Sequence, residues 1–203
     1  MSKRPNIILM LVDDLGWRDL SCYGSIFYET PAIDCLAAEG MRFTDAYAAC
    51  PVCSPTRASI LSGKYPARVG VTDFIGGRSH GRLQEVPYKW YLPLEEFNLA
   101  RALKEGGYRT WHVGKWHLGV EDYWPDRQGF DVNIGGCHKG TPNKGYFAPY
   151  DIPTLPDGPD GEYLTDRLTD EAVRLIEGTG RDEPFFLNFW HYTVHTPIQA
   201  KAD

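Results

Sequence analysis

The sequence has no excess of positive charge. It contains 21 lysine and arginine residues against 27 aspartate and glutamate residues, and its formal net charge at pH 7 is -6. Proteins that bind nucleic acid usually present a strongly basic face, so we do not expect nucleic acid as a partner. An anionic substrate would have to be attracted by a few cations gathered at one site.

A long hydrophobic segment is also missing near the N-terminus. The apolar run from Ile7 to Val12 stops at Asp13, and it is too short for the hydrophobic part of a signal peptide or for a transmembrane helix. The sequence as written therefore predicts no membrane span and a cytoplasmic location. If an upstream signal was lost, the protein would be periplasmic or secreted.

The cysteines do not follow the pattern of a disulfide-rich or zinc-binding protein. There are five of them, at positions 22, 35, 50, 53 and 137. An odd number in a chain of 203 residues argues against a disulfide framework. Cys50 and Cys53 have the spacing of half a zinc site, but no second Cys/His pair at matched spacing follows.

The composition is that of a folded globular domain, with 42% hydrophobic and 24% charged residues. Short apolar runs alternate with segments of helical periodicity, and Thr30 and Pro31 fit the N-cap and first position of one helix. The pattern predicts strands over 6–12, 41–46, 108–113 and 184–189, and helices over 31–39, 54–62, 94–105 and 163–177. The first strand reads as buried on both faces. We therefore expect an α/β fold with a mostly parallel sheet flanked by helices on both faces.

The segment from Cys53 to Arg57, with the sequence Cys-Ser-Pro-Thr-Arg, opens one of these helices. A thiol at a helix N-terminus feels the positive end of the helix dipole, and Arg57 lies one turn later on the same face. This combination suggests chemistry on a tetrahedral oxyanion. The alternative is a redox pair formed with Cys50, but that interpretation leaves Arg57 and the segments described next unexplained.

Asp13 and Asp14 directly follow the first predicted strand. Ligands of parallel sheets gather at the carboxyl ends of the strands, and paired carboxylates suit Ca²⁺ or Mg²⁺. For an Asp-Asp pair taken alone, a solvated turn is the commoner interpretation. Both interpretations stay open at this point.

Two later strands also end in chemically capable residues. Lys115 and His117 follow the strand that ends near Val113, and in an extended segment they would point the same way. His195 follows the last strand and is a candidate general acid. Residues of these types are often ordinary surface residues, and His112 and His191 fit packing roles at least as well.

Two aperiodic stretches, 74–93 and 121–160, are expected to be long functional loops. The second carries five side chains that could wall a sugar or aryl pocket or could be loop packing: Tyr123, Trp124, His138, Lys139 and Tyr146.

Taken in order, these segments resemble the sulfatases of the alkaline phosphatase superfamily. The resemblance rests on the opening strand with Asp13-Asp14-Leu15-Gly16-Trp17, on the Cys53 to Arg57 signature with Ser62-Gly63-Lys64-Tyr65-Pro66, on Gly107-Tyr108-Arg109-Thr110 through Gly114-Lys115-Trp116-His117-Leu118-Gly119, and on Val194-His195-Thr196-Pro197. It spans nearly the whole chain. It implies an alkaline phosphatase-like fold and a sulfuric ester hydrolase of the arylsulfatase type.

The resemblance also implies site roles. Cys53 would be converted to formylglycine by a formylglycine-generating or anaerobic sulfatase-maturing enzyme, and one hydroxyl of its hydrate would attack a small-molecule or glycan sulfate ester. Asp13, Asp14 and residue 53 would hold one divalent cation, Ca²⁺ by analogy and Mg²⁺ as the alternative. Arg57 and Lys115 would stabilise the negative charge. His195, together with a lysine, would protonate the departing alcohol, and His117 would accept a proton during sulfate release.

The sequence departs from the family pattern after the last histidine motif. The family's second metal-binding pair and smaller C-terminal subdomain have no counterpart before Asp203. We therefore expect residues 1–203 to be the N-terminal portion of a sulfatase catalytic domain, with a weakly held cation and an exposed sheet edge. The alternatives are a phosphate or phosphonate monoester hydrolase of the same superfamily and a non-catalytic fragment.

Overall fold

The computed structural model describes residues 4–77, 81–84 and 86–202. Four strands form its sheet: β1 (Ile7–Leu11), β2 (Arg109–Gly114), β3 (Val132–Ile134) and β4 (Phe185–Trp190). Their order is β1-β4-β2-β3, and every neighbouring pair is parallel. β1 and β4 are far apart in sequence, yet Ile7 pairs with Phe186 and Leu11 with Trp190. This α/β arrangement confirms the predicted fold class.

The described residues also form five α-helices: α1 (Pro31–Glu39), α2 (Cys53–Ser62), α3 (Pro66–Val69), α4 (Leu99–Glu105) and α5 (Leu164–Glu177). Short 3₁₀ turns lie at Ser21–Tyr23, Glu121–Tyr123 and Pro125–Gln128. None of the helices formed by the described residues has the length and apolar character needed to cross a membrane.

The two faces of β4 point into two separate apolar cores, because side chains alternate along a strand. Phe185 and Leu187 pack with Leu168 of α5 on one face. Phe186 and Trp190 pack on the other face with apolar residues of α2 and α4, including Ala58, Leu61 and Ala100. Helices therefore cover both faces, and β4 is buried along its whole length.

β1 differs from the prediction of a strand buried on both faces. Ile8 is 50% exposed and Met10 is 54% exposed, whereas Ile7, Leu9 and Leu11 pack against the core that contains Trp190. β1 is an edge strand of the sheet formed by the described residues, and α5 covers β2 and β4 rather than β1.

Two local predictions were wrong. The described residues 41–46 form no strand and are exposed, because no neighbouring strand pairs with them. The helix predicted over 94–105 begins only at Leu99, because the side chain of Asn98 accepts a hydrogen bond from the Arg101 N–H at 3.1 Å and caps it there. The N-cap of α1 is Thr30, as predicted, but its side chain makes no capping bond within the helix. Its hydroxyl donates to the Asp34 carboxylate at 3.0 Å and accepts from the Ser21 N–H at 2.9 Å.

The long stretches are largely irregular, as predicted. Residues 121–160 contain the short strand β3, which pairs with β2 through Trp111 and Val132. In the other stretch, residues 78–80 and 85 lie outside the described part of the chain, and the remainder contains no helix or strand.

Candidate active site

The carboxyl ends of β1, β2 and β4 meet at one edge of the sheet and carry most of the predicted site residues. The backbone N–H of Asp13 donates to the Thr193 carbonyl at 2.8 Å, and the Val194 N–H donates to the Asp13 carbonyl at 2.7 Å. These bonds join the segment after β1 to the segment after β4. They hold Asp13 beside the loop that leads to His195.

Asp13 lies between two buried cations. Its Oδ1 accepts a hydrogen bond from Arg57 Nη2 at 3.1 Å, and its Oδ2 accepts one from Lys115 Nζ. Arg57 and Lys115 have no exposed surface, and Asp13 is 5% exposed. Burial by itself would raise the pKa of the Asp13 carboxyl, but the charges and hydrogen bonds of the two cations outweigh it, so this pKa lies below its ordinary value.

Arg57 is fixed on several sides. It projects from the second turn of α2, its Nη1 donates to the Lys115 carbonyl at 2.7 Å, and its guanidinium lies 5.0 Å from the centroid of the Trp190 ring. Its Nε is buried and has no hydrogen-bond partner among the described residues. The aromatic face and the carbonyl together support a cation that water does not reach.

Lys115 reaches Asp13 because Gly114 lets β2 run close to β4. Gly114 has φ +107°, and a Cβ there would lie 1.9 Å from the Trp190 carbonyl oxygen. The Lys115 N–H donates to the same carbonyl at 2.7 Å. Burial and the nearby Arg57 charge lower the pKa of Lys115, and Asp13 opposes this shift.

Cys53, the first residue of α2, faces the imidazole of His117. Its Sγ lies 3.2 Å from His117 Nδ1, and His117 Nε2 lies 2.7 Å from the Ile75 carbonyl oxygen. A carbonyl can only accept, so Nε2 carries the proton and Nδ1 presents its lone pair to residue 53. Burial and the charge of Lys115 lower the pKa of His117 to about 3. The ring is therefore a neutral hydrogen-bond acceptor.

Asp14 and His195 form a more open part of the site. Asp14 has φ +61°, and its Oδ2 lies 3.7 Å from His195 Nε2. The side chain of Asp14 is 55% exposed and that of His195 is 23% exposed. The two neighbouring aspartates therefore occupy different environments, one buried between cations and one facing solvent.

Two cavities open beside Cys53. One of about 250 Å³ is lined by Asp13, Asp14, Cys50, Cys53 and Arg57, among others. The other, of about 380 Å³, is lined by Cys53, His117 and His195 together with loop residues that include Thr141 and Asn143. A small anionic group next to residue 53 would thus meet Arg57 in the first cavity, or His117 and His195 in the second.

The described residues supply part of a site for a hard divalent cation. Asp13 and Asp14 offer carboxylate oxygens, which suit Ca²⁺ and Mg²⁺ in kind, whereas Ca²⁺ takes six to eight oxygen ligands. Within residues 4–77, 81–84 and 86–202, no three His, Cys, Asp or Glu side chains are arranged to hold a metal ion. Both Asp13 oxygens already accept hydrogen bonds from cations. The donors fit a cation chemically and form an incomplete set.

The structure thus brings the predicted residues into one region in three groups: Asp13 with Arg57 and Lys115, Cys53 with His117, and Asp14 with His195. The solvated-turn interpretation fits Asp14 and is wrong for Asp13. Cys50 lines the first cavity, and all cysteines of the described chain are free thiols.

Most of the other candidate side chains serve packing. His112 has no exposed surface, and its Nδ1 accepts a hydrogen bond from the Asn188 amide at 2.9 Å. His191 is 8% exposed, and its ring lies 4.2 Å from that of Phe189. In the long loop, Tyr123 stacks on Tyr91, Trp124 stacks on His138, and Lys139 pairs with Asp151.

Tyr146 is the member of that loop set that reaches the site. Its hydroxyl donates to the Tyr192 carbonyl at 2.6 Å and lies 2.9 Å from the His195 carbonyl oxygen, and it lines a cavity of about 780 Å³ beside His195. Two groups that hold the site together could not be found in the sequence. They are the Ile75 carbonyl, which any residue could provide, and the Ser54 hydroxyl, whose position next to Cys53 was its only signal.

The chain was compared with protein families, curated proteins and solved structures. The family model described as Sulfatase matches residues 5–203. Human N-acetylgalactosamine-6-sulfatase is 36% identical over 97% of this chain and 40% of its own length, and human arylsulfatase G is 40% identical over 86% of this chain and 33% of its own length. The chain thus spans about 40% or less of these two relatives.

Solved structures also match this chain over nearly its whole length. The crystal structure of Ps i-CgsB in complex with k-i-k-neocarrahexaose matches with a TM-score of 0.76 and 32% identity, over 97% of this chain and 47% of that one. The structure of BT4656 in complex with its substrate D-glucosamine-2-N,6-O-disulfate matches with a TM-score of 0.71 and 31% identity, over 96% of this chain and 35% of that one. With a family match over residues 5–203, this chain belongs to the sulfatase family.

Proposed function

We propose that the complete protein hydrolyses a small-molecule or glycan sulfate ester, with residue 53 as the attacking group. The observation that carries this proposal is the buried group of Asp13, Arg57 and Lys115 beside the contact between Cys53 and His117. With both cations charged, this group of three side chains has a surplus of one positive charge, and it lies at the carboxyl ends of the strands. It suits an anion that carries several oxygens.

The thiol alone does not account for turnover, because the β-carbon of a cysteine carries no hydroxyl whose deprotonation could form a carbonyl and expel sulfate. We propose that Cys53 is converted to formylglycine by a formylglycine-generating or anaerobic sulfatase-maturing enzyme. The hydrated aldehyde supplies two hydroxyls, one for attack at sulfur and one for the release of sulfate. Cys53 is partly exposed and lines both cavities, which supports access by such an enzyme.

The chain's own residues then have distinct proton and charge roles. His117 directs an unprotonated Nδ1 at residue 53 and is placed to accept a proton from a hydroxyl there. His195 shares a cavity with residue 53 and is placed to protonate the departing alcohol oxygen. Arg57 and Lys115 stabilise the negative charge on the transferred group, and both are positioned before substrate arrives.

We propose further that Asp13, Asp14 and the modified residue 53 are ligands of one divalent cation, with Ca²⁺ as the ion and Mg²⁺ as the alternative. When bound, the cation supplies positive charge to an oxygen of the ester. Since the described donors are an incomplete set, residues 1–203 would be the N-terminal portion of the catalytic domain, and the remaining ligands would come from another part of the protein. The coverage of about 40% of the human relative supports this division.

The test uses the complete protein purified from its native host. The mass of the peptide that contains Cys53 is measured first, and the expected result is the mass of the aldehyde; an intact thiol would refute the modification. Turnover of an aryl sulfate, an aryl phosphate and an aryl phosphonate is then compared, with Cys53→Ala as the inactive control. A preference for the phosphate or phosphonate would refute sulfate ester hydrolysis.

A further inference from the structure

Ser54 is a buried hydroxyl that the roles above do not use. It follows Cys53 in α2 and has no exposed surface. Its Oγ donates to the His117 carbonyl at 2.9 Å and accepts a hydrogen bond from the Ile75 N–H at 3.0 Å. The hydroxyl therefore donates one hydrogen bond and accepts another, and its two partners lie on segments that are distant in sequence.

Those two segments are the ones that hold the His117 ring. One carries the Cα of His117, and the other carries the Ile75 carbonyl that accepts from Nε2 at 2.7 Å. Ser54 thus closes a ring of hydrogen bonds. Its hydroxyl donates to the His117 carbonyl, and the His117 imidazole donates to the Ile75 carbonyl. The Ile75 N–H then donates back to the Ser54 hydroxyl.

The backbone of His117 needs this support. Its φ of +55° is a left-handed conformation that a residue with a β-carbon adopts at a cost and keeps only when its surroundings impose it. On one side its N–H donates to the Cys137 carbonyl at 3.0 Å. On the other side its carbonyl accepts from Ser54, so both backbone groups are fixed.

We propose that Ser54 is a positioning residue that holds the His117 ring with Nε2 protonated and Nδ1 directed at residue 53. Without the hydroxyl, the Ile75 segment loses its tie to α2, and the ring is free to rotate or to move its proton to Nδ1. A protonated Nδ1 cannot accept a proton from residue 53. The catalytic consequence rests on the proposed function, whereas the positioning itself is a property of the folded chain with an unmodified cysteine.

The first experiment therefore needs no activity. The complete protein with Cys53 unmodified is labelled with ¹⁵N-histidine, and the imidazole nitrogens of His117 are read by NMR, with His117→Gln used only for assignment. We expect one tautomer, protonated at Nε2, in the unaltered protein. Ser54→Ala is expected to show a mixture of tautomers or an averaged signal.

The matched control is Ser59→Ala. Ser59 lies on the same helix, and its hydroxyl is buried without a hydrogen-bond partner among the described residues. Its removal deletes the same atoms but no tie to His117, so the NMR signature should not change. Ser54→Thr keeps a hydroxyl and is expected to keep the single tautomer. If Ser54→Ala does not fold, Ser54→Cys takes its place. Its thiol is a weaker donor than a hydroxyl, so a smaller fraction of the second tautomer is expected.

The second experiment measures kinetics on protein of known formylglycine content and folded fraction. Misplacement of a catalytic group by about 1 Å can cost about 100-fold, so we expect kcat of Ser54→Ala to fall roughly 10- to 100-fold with little change in KM. Ser59→Ala should stay within about twofold. The proposal is overturned if Ser54→Ala keeps the single Nε2–H tautomer and has the same kcat as Ser59→Ala. Absence of all sulfatase activity would refute the proposed function and leave the NMR result to decide the positioning role.

Discussion

Replacing Asp13 by asparagine should show how strongly the buried charges of the site depend on one another. The substitution keeps the shape of the side chain but removes the carboxylate that pairs with both Arg57 and Lys115, and no other carboxylate of the described residues pairs with either cation. Both cations would then lie in a buried site with no exposed surface, and they would repel each other. Breaking a buried ion pair by removing one partner costs about 3–5 kcal/mol, and here one carboxylate serves two cations.

We therefore expect Asp13→Asn to lower the free energy of unfolding by about 3–5 kcal/mol. With a urea m-value of about 3 kcal/mol/M, this equals a shift of the unfolding midpoint by roughly 1–2 M. The measurement is urea unfolding of the complete protein at pH 7, followed by circular dichroism. A chelator is present throughout, because a bound cation would add its own binding free energy to the folded state.

Two further variants make the interpretation specific. Asp14→Asn deletes the neighbouring charge, which is 55% exposed, and should change stability by less than about 1 kcal/mol. Lys115→Met in the Asp13→Asn background removes one of the two uncompensated cations and should restore part of the loss. If Asp13→Asn lies within 1 kcal/mol of the unaltered protein, or if the double variant is less stable than the single one, the charge argument is wrong.

Other expectations test the fold around the site. Gly114→Ala places a Cβ 1.9 Å from the Trp190 carbonyl oxygen at a φ of +107°, so thermal unfolding should reveal a loss of at least about 3 kcal/mol. Lowering the pH from 6.5 should reduce stability by up to about 1.4 kcal/mol per unit for each buried histidine whose folded pKa is lowered. Burial lowers the pKa of His112 and His117 to about 3 and that of His191 to about 4, whereas the unfolded chain takes up these protons near 6.5. Urea titrations of the unaltered protein and of His112→Gln at several pH values would show the slope and the share of it that belongs to His112. Leu187→Ala in the buried strand should cost about 2–5 kcal/mol, and Ile8→Ala, at a half-exposed position, should cost clearly less in the same assay.

Apolar runs and helix boundary signals were sufficient to locate most of the regular structure. β4 reads as an apolar segment interrupted by Asn188 because both of its faces are buried, and α5 shows clear helical periodicity. The missed strand β3 has three residues and takes its place only from pairing with β2. The extra strand predicted over 41–46 had apolar residues but no partner, and a sequence does not show whether a partner exists.

The convergence of the site residues follows from the topology of parallel strands, whereas their individual environments do not. Nothing in the Asp-Asp pair shows that Asp13 is turned inward between two cations and that Asp14 faces solvent. The difference arises from backbone bonds between Asp13 and the segment after β4, which comes from the other end of the chain. Ser54 was overlooked for a related reason, since its two partners are backbone groups.

The arrangement of charge also explains how an acidic chain can attract an anion. The net charge of -6 repels a sulfate ester at long range, so attraction must come from groups close to residue 53. Arg57 and Lys115 supply it from positions without exposed surface, where an effective dielectric constant lower than that of water strengthens each interaction. Two such cations alone would be costly to bury, and Asp13 makes the pair stable while leaving one positive charge in excess. The carboxylate that stabilises the two buried cations therefore also limits their attraction for an anion, and a divalent cation bound to Asp13, as proposed, would strengthen the attraction for the proposed sulfate ester.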